Sequence, residues 1–272
     1  MTDSSGTRRR SCVGASHLAL IIILLSLTGV AVAGEARPDI SIATNAVEIT
    51  VTIDDALKAY PRLHADLLAE GQRQAATWRT DAVKERRRYP QSVIDGRAWT
   101  YTRVYTLRSV IAHRYISIRR DDDRYEGGAH PNSFTNTILW DLVSKRRVSI
   151  RPFFKETADN GPTMRTLARR IRAALAKQKK ARGIEVADNP ERDAPLRAVA
   201  PQLSRLGPVM LAPSNDTDKS SGLTFHFSPY VVGPYAEGSF TAFVPWTEFK
   251  ALLSPQGAAL FSGERPAQDA DD

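Results

Sequence analysis

The chain reads as α+β: two small subdomains in which antiparallel sheets pack with helices. Three observations predict this. Val47, Ile49, Val51 and Ile53 alternate with Glu48, Thr50 and Thr52, the period of two that marks a half-buried strand. Trp99, Tyr101, Arg103, Tyr105 and Leu107 repeat that period over a longer run. Met164, Leu167, Ile171 and Leu175 recur instead at helical spacing, with Arg165, Arg169, Arg172, Lys179 and Lys180 around them, which makes an amphipathic basic helix. Its apolar stripe has the width that packs on a sheet. The first subdomain is expected over 46–150 and the second over 151–255.

The remaining elements follow in order. The N-terminus has the form of an export signal over 1–33. Arg8, Arg9 and Arg10 precede an apolar run from Leu18 to Val30, and Ala31-Val32-Ala33 carries the small-x-small pattern of a cleavage site. The run is short for a spanning helix. Cleavage after Ala33 and release to the periplasm are therefore expected, with membrane contact only if the leader is kept. Gly34 to Asn45 reads as a polar lead-in. Asp54 is a helix cap and Pro61 a first helical residue. Leu63, Leu67, Gln74 and Trp78 then share one helix face as far as about Arg88.

A second strand is expected from Val110 to Ile118, with Asp121-Asp122-Asp123 as a solvated turn. Phe134–Leu142 and Arg147–Ile150 form a hairpin about Val143-Ser144-Lys145-Arg146. Gly183 ends the basic helix. Leu196, Val199, Leu203 and Leu206 mark a further short helix, and Ser214–Gly222 is a polar loop. Leu223, Phe225 and Phe227 alternate as a strand, and Thr241–Val244 is another. Pro245-Trp246-Thr247-Glu248-Phe249 opens a closing helix. The tail over 256–272 is small and polar, finally acidic, and expected to be disordered.

Composition bounds the function. A hydrophobic share of 42% and a charged share of 25% are those of a globular protein. Cys12, the only cysteine, lies before the apolar run, so the mature chain has neither disulfide nor thiol chemistry. The net charge is +8; the leader holds three Arg and one Asp, which leaves +6 on the mature part. That charge attracts anionic envelope polymers. It suits nucleic acid too, but an exported protein rarely meets it, and no nucleic-acid partner is expected. Nucleophile elbow, phosphate loop and zinc spacings are all absent from the sequence, so no cofactor and no metal is expected. The three adjacent aspartates lack the alternation and turn glycine of a calcium loop.

The chemistry, if any, gathers at Tyr125-Glu126-Gly127-Gly128-Ala129-His130-Pro131-Asn132. Paired glycines supply positive φ or let another backbone approach, so this is a tight polar corner between strands. His130 in it is either a hydrogen-bonded structural ring or a binding group. Tyr230 and Tyr235, in the stretch Ser228–Gly238, either stack on sugar rings or lock the corner before the last strand. A hydrolytic set is conceivable, with His130 as base, Glu237 or Asp141 as orienting acid and Ser133 as nucleophile. No residue is assigned as catalytic. Gly127, Gly128, His130, Asn132, Tyr230, Tyr235 and Glu237 are the candidate ligand-binding residues.

Three stretches in order carry a family resemblance: Gly127-Gly128-Ala129-His130-Pro131-Asn132, the Phe227–Gly238 segment with its Pro-Tyr and Pro-Tyr-Ala punctuation, and Val244-Pro245-Trp246. Together they resemble the exported domain pair of unknown function in the extracellular part of the lysozyme-sensing anti-sigma factor. The same pair stands beside some peptidoglycan deacetylases. The resemblance runs from Val47 to Leu253 and implies an α+β fold in two subdomains. No H-x-x-x-H metal pair accompanies it, so the deacetylase activity is not implied. The resemblance implies the fold and assigns no activity; the function expected for the exported chain is a non-catalytic binding or interaction module for cell-wall polysaccharide or an envelope protein, and the alternative is a small envelope hydrolase using His130.

Overall fold

The period of two at Val47–Ile53 becomes strand β2, with Val47, Ile49, Val51 and Ile53 buried. The computed structural model describes residues 37–89 and 97–269; the leader and its cleavage site lie outside the described residues. Ahead of β2 stands β1 (Ile40–Ala43), in the stretch read from sequence as a lead-in. Asp54 caps a 3₁₀ turn, Asp55–Ala59, not a full helix. Pro61 then opens α1 (Pro61–Arg88). The buried stripe of α1 runs Leu63, Leu67, Gly71, Ala75, Trp78, Ala82, so Gln74 lies off it. Small residues take its centre because the helix presses close: a Cβ on Gly71 would sit 3.0 Å from Val51 and 3.3 Å from Ile40.

Strands β3 (Trp99–Ile111), β4 (Tyr115–Tyr125), β5 (Asn132–Asp141) and β6 (Arg146–Arg147) complete a six-stranded sheet in the order β1-β2-β3-β4-β5-β6. Only β2 and β3 run parallel, because α1 carries the chain back between them; a parallel pair needs such a crossover. The strand expected from Val110 to Ile118 is in fact a turn flanked by two strands. Ala112 and His113 take positive φ there, at 53° and 49°, and no glycine announces it.

The triple aspartate is not a solvated turn. Asp121–Asp123 lie inside β4, and Asp122 is only 1% exposed. Arg103, 2% exposed on β3, donates to it from Nε (2.5 Å) and Nη2 (2.9 Å), and Tyr101 from its hydroxyl (3.1 Å). Burial, reinforced by the Asp122 charge, pushes the Tyr101 hydroxyl well above the ordinary tyrosine range. Above this pair Glu70 of α1 accepts from Arg103, Arg120 and Arg147. The apolar helix is thus tied to its sheet by a polar centre.

Burial raises the Glu70 pKa, but the hydrogen bond and charge of Arg147, with Arg120 and Arg103 behind them, outweigh it and hold the carboxyl below its ordinary 4.5. The sign follows: a depressed pKa contributes stability that is full above the unfolded value and is lost as pH falls through the folded one. The parent should therefore lose melting temperature on acidification from about pH 5 to about pH 3 more steeply than Glu70→Gln. Circular-dichroism melts across that range check this, and parallel slopes would exclude Glu70 as a source of the acid sensitivity.

A bulge at Leu107–Ser109 adds one residue to β3 and turns its later side chains over. Leu107 pairs with Ile118 on the α1 side, whereas Ser109 pairs with Ser117 and Ile111 with Tyr115 on the other. That second face receives the rest of the chain: α2 (Pro162–Ala181), the antiparallel sheet β7 (Val209–Pro213), β8 (Ser220–Phe227), β9 (Phe240–Pro245), and α3 (Pro255–Leu260). Ser109 donates to the Leu211 carbonyl (2.7 Å), and the Leu211 N–H donates to the Ser117 hydroxyl (3.1 Å). Ile111, Tyr115 and Leu139 share one hydrophobic cluster with Ile171, Leu175, Phe225 and Phe240. The fold is α+β, with two antiparallel-dominated sheets packed against helices.

Four further differences come from local hydrogen bonding. Leu196–Ala198 and Leu203–Arg205 are two 3₁₀ turns, not one helix, with Pro201 between them. β8 begins at Ser220, inside the segment read as loop, and its Ser220 and Ser221 hydroxyls bond back to Ala212 and Pro213. Trp246–Glu248 and Lys250–Leu252 are 3₁₀ turns. The region read as a disordered tail carries α3. It stays fastened as far as Asp269 by Trp246 Nε1 to Gly263 (3.1 Å), Glu264 to Asn215 (2.8 Å), and Arg108 of β3 to Asp269 (3.3 Å).

Candidate functional site

The glycine corner joins β4 to β5. Gly127 and Gly128 hold φ of 90° and 103°, and a Cβ on either would touch nothing. The backbone, not packing, therefore demands glycine here. Tyr125 closes the corner by donating to the Gly128 carbonyl (3.3 Å).

A loop from the other half of the chain lies against it. Ser228 anchors that loop, its hydroxyl accepting from the Thr135 N–H of β5 at 2.8 Å. The loop then turns at Tyr230, a non-glycine residue at φ 72°, a conformation uncommon for side-chain-bearing residues. Tyr235 follows in a 3₁₀ turn, Tyr235–Glu237. Its ring stacks on His130, centroids 3.8 Å apart and planes at 17°, and its hydroxyl donates to the Pro131 carbonyl (3.1 Å). Tyr230 stands 5.4 Å from Tyr235, tilted by 36°.

His130 Nδ1 lies 2.9 Å from the Pro131 carbonyl, which only accepts, so Nδ1 carries the proton. Nε2 faces the Tyr230 hydroxyl at 3.5 Å. The outcome is an aromatic platform of His130, Tyr235 and Tyr230, with Tyr230 62% exposed. A cavity of about 660 Å³ opens beside it, lined by Glu48, Arg97, Thr100, Tyr125, Gly128 and His130. Glu48 and Thr100 come from the polar side of β2 and β3, which the alternation shows as outward but does not mark as a site.

Of the candidate residues, His130, Tyr230 and Tyr235 come together, and Gly127 and Gly128 shape the corner that holds them. Asn132 is exposed at the start of β5, opposite Arg124. Glu237 points away: its carboxylate accepts from Lys179 of α2, which is 2% exposed. Gly233 passes over that pair, where a Cβ would collide with the carboxylate.

The conceivable hydrolytic set is not assembled. Ser133 donates to Asp123. Asp141 accepts from Arg114 Nε and Nη2 and from Ser144, and these hydrogen bonds, Arg114's foremost, hold its carboxyl far below the usual range. A second, polar cleft of about 250 Å³ lies between β4–β5 and β8–β9, lined by Asp121, Asp123, Ser133, Thr135, His226 and Thr241. Among the described residues no three His, Cys, Asp or Glu side chains are grouped to hold a metal, and no helix is long and apolar enough to cross a membrane.

No curated protein matches the chain. A DUF3298 family protein from Bacteroides fragilis has a solved structure similar over 76% of this chain and 85% of its own, at 16% identity and a TM-score of 0.49. Another from Pseudomonas aeruginosa PAO1 is similar over 82% of this chain and 91% of its own, at 13% identity and a TM-score of 0.47. Residues 153–247 match the family model described as a protein of unknown function, DUF3298. The stretch holding α2, the second sheet and the Tyr230–Tyr235 loop is thus a DUF3298 domain, a domain whose function is unknown.

Proposed function

We propose that this chain is an exported, non-catalytic binding module of the periplasm that takes cell-wall polysaccharide on the His130–Tyr235–Tyr230 platform. One observation carries the reading: three rings drawn from two distant stretches gather at the surface, two stacked and the third tilted against them, and that third ring is kept exposed at an uncommon φ. An uncommon φ kept at a surface aromatic supports a role in binding, since strained backbone is often retained at ligand sites. Rigid rings with polar tips suit the apolar face of a pyranose and its hydroxyls together. The export signal read in the sequence supports the periplasmic location. The resemblance to modules of an anti-sigma factor and of peptidoglycan deacetylases supports the wall as ligand. The hydrolase alternative has less support, because the side chains that would serve His130 are engaged elsewhere.

The test is co-sedimentation of the purified protein with peptidoglycan sacculi, beside N-terminal sequencing of the native protein, expected to begin at Gly34. An aromatic stacking contact contributes about 0.5–1.5 kcal/mol, so Tyr230→Ala should weaken binding roughly twofold to tenfold. As an exposed change it should move stability by no more than about 0.5 kcal/mol. Unchanged sedimentation of a well-folded Tyr230→Ala protein would remove the platform from the ligand site. Release of soluble sugar by the parent would favour the hydrolase.

A further inference from the structure

A groove distant in sequence from the aromatic platform lies between the open edge of β1 and the flank of α1. Its volume is about 710 Å³. Ile40, Ile42, Ala75, Ala76 and Val83 make an apolar floor, and Arg79, Lys84 and Arg87 stand on its rim; among the described residues no carboxylate lines it. On α1 the lining residues Gln72, Ala76, Thr80, Val83 and Arg87 recur every three or four positions, so they form one stripe. At about 1.5 Å per residue that stripe is roughly 22 Å long.

The other wall is a strand edge. β1 pairs with β2 on one side, and among the described residues no strand pairs with its other side. The groove is therefore where the side chains of a next strand would pack under α1, about 4.8 Å beyond β1.

From this geometry we infer that the groove is a docking site for an extended segment of a partner protein. The segment adds to the β1 edge, places apolar side chains at alternate positions over Ile40 and Ile42, and carries acidic residues at the end that reaches Arg79, Lys84 and Arg87. Three features select this occupant. An open edge offers unpaired N–H and C=O groups that a strand satisfies. An acyl chain on the same edge would strip water from those groups and return no hydrogen bond. The all-basic rim selects carboxylates and rejects a basic segment through like-charge repulsion. The cations belong to the later turns of α1, alongside Ile42 and beyond it, so in the antiparallel pairing, the more stable one, the acidic residues lead the segment. Four residues of β1 offer little pairing, so the side chains in the groove carry most of the affinity.

A fluorescein-labelled peptide Glu-Ser-Glu-Thr-Val-Thr-Val-Thr, acetylated at its start, tests this by fluorescence anisotropy on the whole chain. Controls are the same peptide with lysine for glutamate, the same peptide N-methylated on alternate amides, and phosphatidylglycerol vesicles. Binding of the acidic peptide is expected with a Kd on the order of 10–100 μM, near −6 kcal/mol, with at least tenfold weaker binding of both altered peptides. Ala76→Glu is an exposed helix position that tolerates glutamate; it should keep the melting temperature and lose the peptide tenfold or more. Arg79→Glu combined with Arg87→Glu should do the same. No saturable binding by about 1 mM, equal binding of the lysine or N-methylated peptide, or vesicle binding abolished by Ala76→Glu in place of peptide binding would each overturn the inference. The last would make the groove a lipid site.

Discussion

Replacing Asp122 with alanine should destabilise the protein by about 3–5 kcal/mol, the usual result of stranding one member of a buried ion pair. For a chain of this size that is a fall in melting temperature of roughly 6–20 °C. The cause is Arg103. Its guanidinium has almost no contact with water and directs two donors at the Asp122 carboxylate. Arg120 and Arg124 approach the same carboxylate at 3.4 and 3.6 Å, so its loss also leaves a cluster of like charges. Stability of a single domain is only about 5–15 kcal/mol, which makes the deficit severe. The double change Asp122→Leu with Arg103→Met should recover much of it, since well-packed apolar replacements of a buried pair are often neutral or better. Thermal and urea unfolding decide the matter. An Asp122→Ala protein melting with the parent would mean that water reaches Arg103 easily.

Glu237→Ala is the second large effect, expected at about 3 kcal/mol for the same reason at a second place. Lys179 of α2 is buried, and its ammonium lies against the Glu237 carboxylate and over the Phe240 ring at 5.0 Å. Removing Glu237 leaves that ammonium buried, whereas removing both charges by adding Lys179→Met should restore most of the loss. Glu237 also ends the 3₁₀ turn that presents Tyr235 to His130. The sugar binding proposed for the platform should therefore fall in Glu237→Ala and return with stability in the double variant. Binding that stays lost in a restored double variant would make Glu237 a ligand contact after all.

Much of the fold is legible because burial imposes a period. β2, β3, α1 and α2 each show their spacing in the residues, and the structure places them accordingly. What escapes is whatever depends on a partner far along the chain. Asp121-Asp122-Asp123 reads as solvated because nothing local reveals that Arg103 stands across the ladder. The turn at Ala112–Arg114 carries no glycine or proline, so its positive φ residues are invisible. β1 is hidden by its length, although Ile40 and Ile42 already alternate. At the site, glycine and proline punctuation gives away the corner and the tyrosine loop as unusual backbone, and their residues do meet. Glu237 looks equally well placed in the sequence; only the approach of α2 shows that its carboxylate serves Lys179.

The bulge in β3 decides which residues the matched stretch 153–247 needs around it to close its core. One added residue turns Ser109 and Ile111 away from the core of their own neighbours and into the core built by the later half. Phe249, Leu253, Leu260 and Phe261, all beyond the matched stretch 153–247, line that same core. Residues 153–247 by themselves therefore leave that interior open on two sides: Ile111, Tyr115 and Leu139 ahead of them and Phe249, Leu253, Leu260 and Phe261 after them complete it.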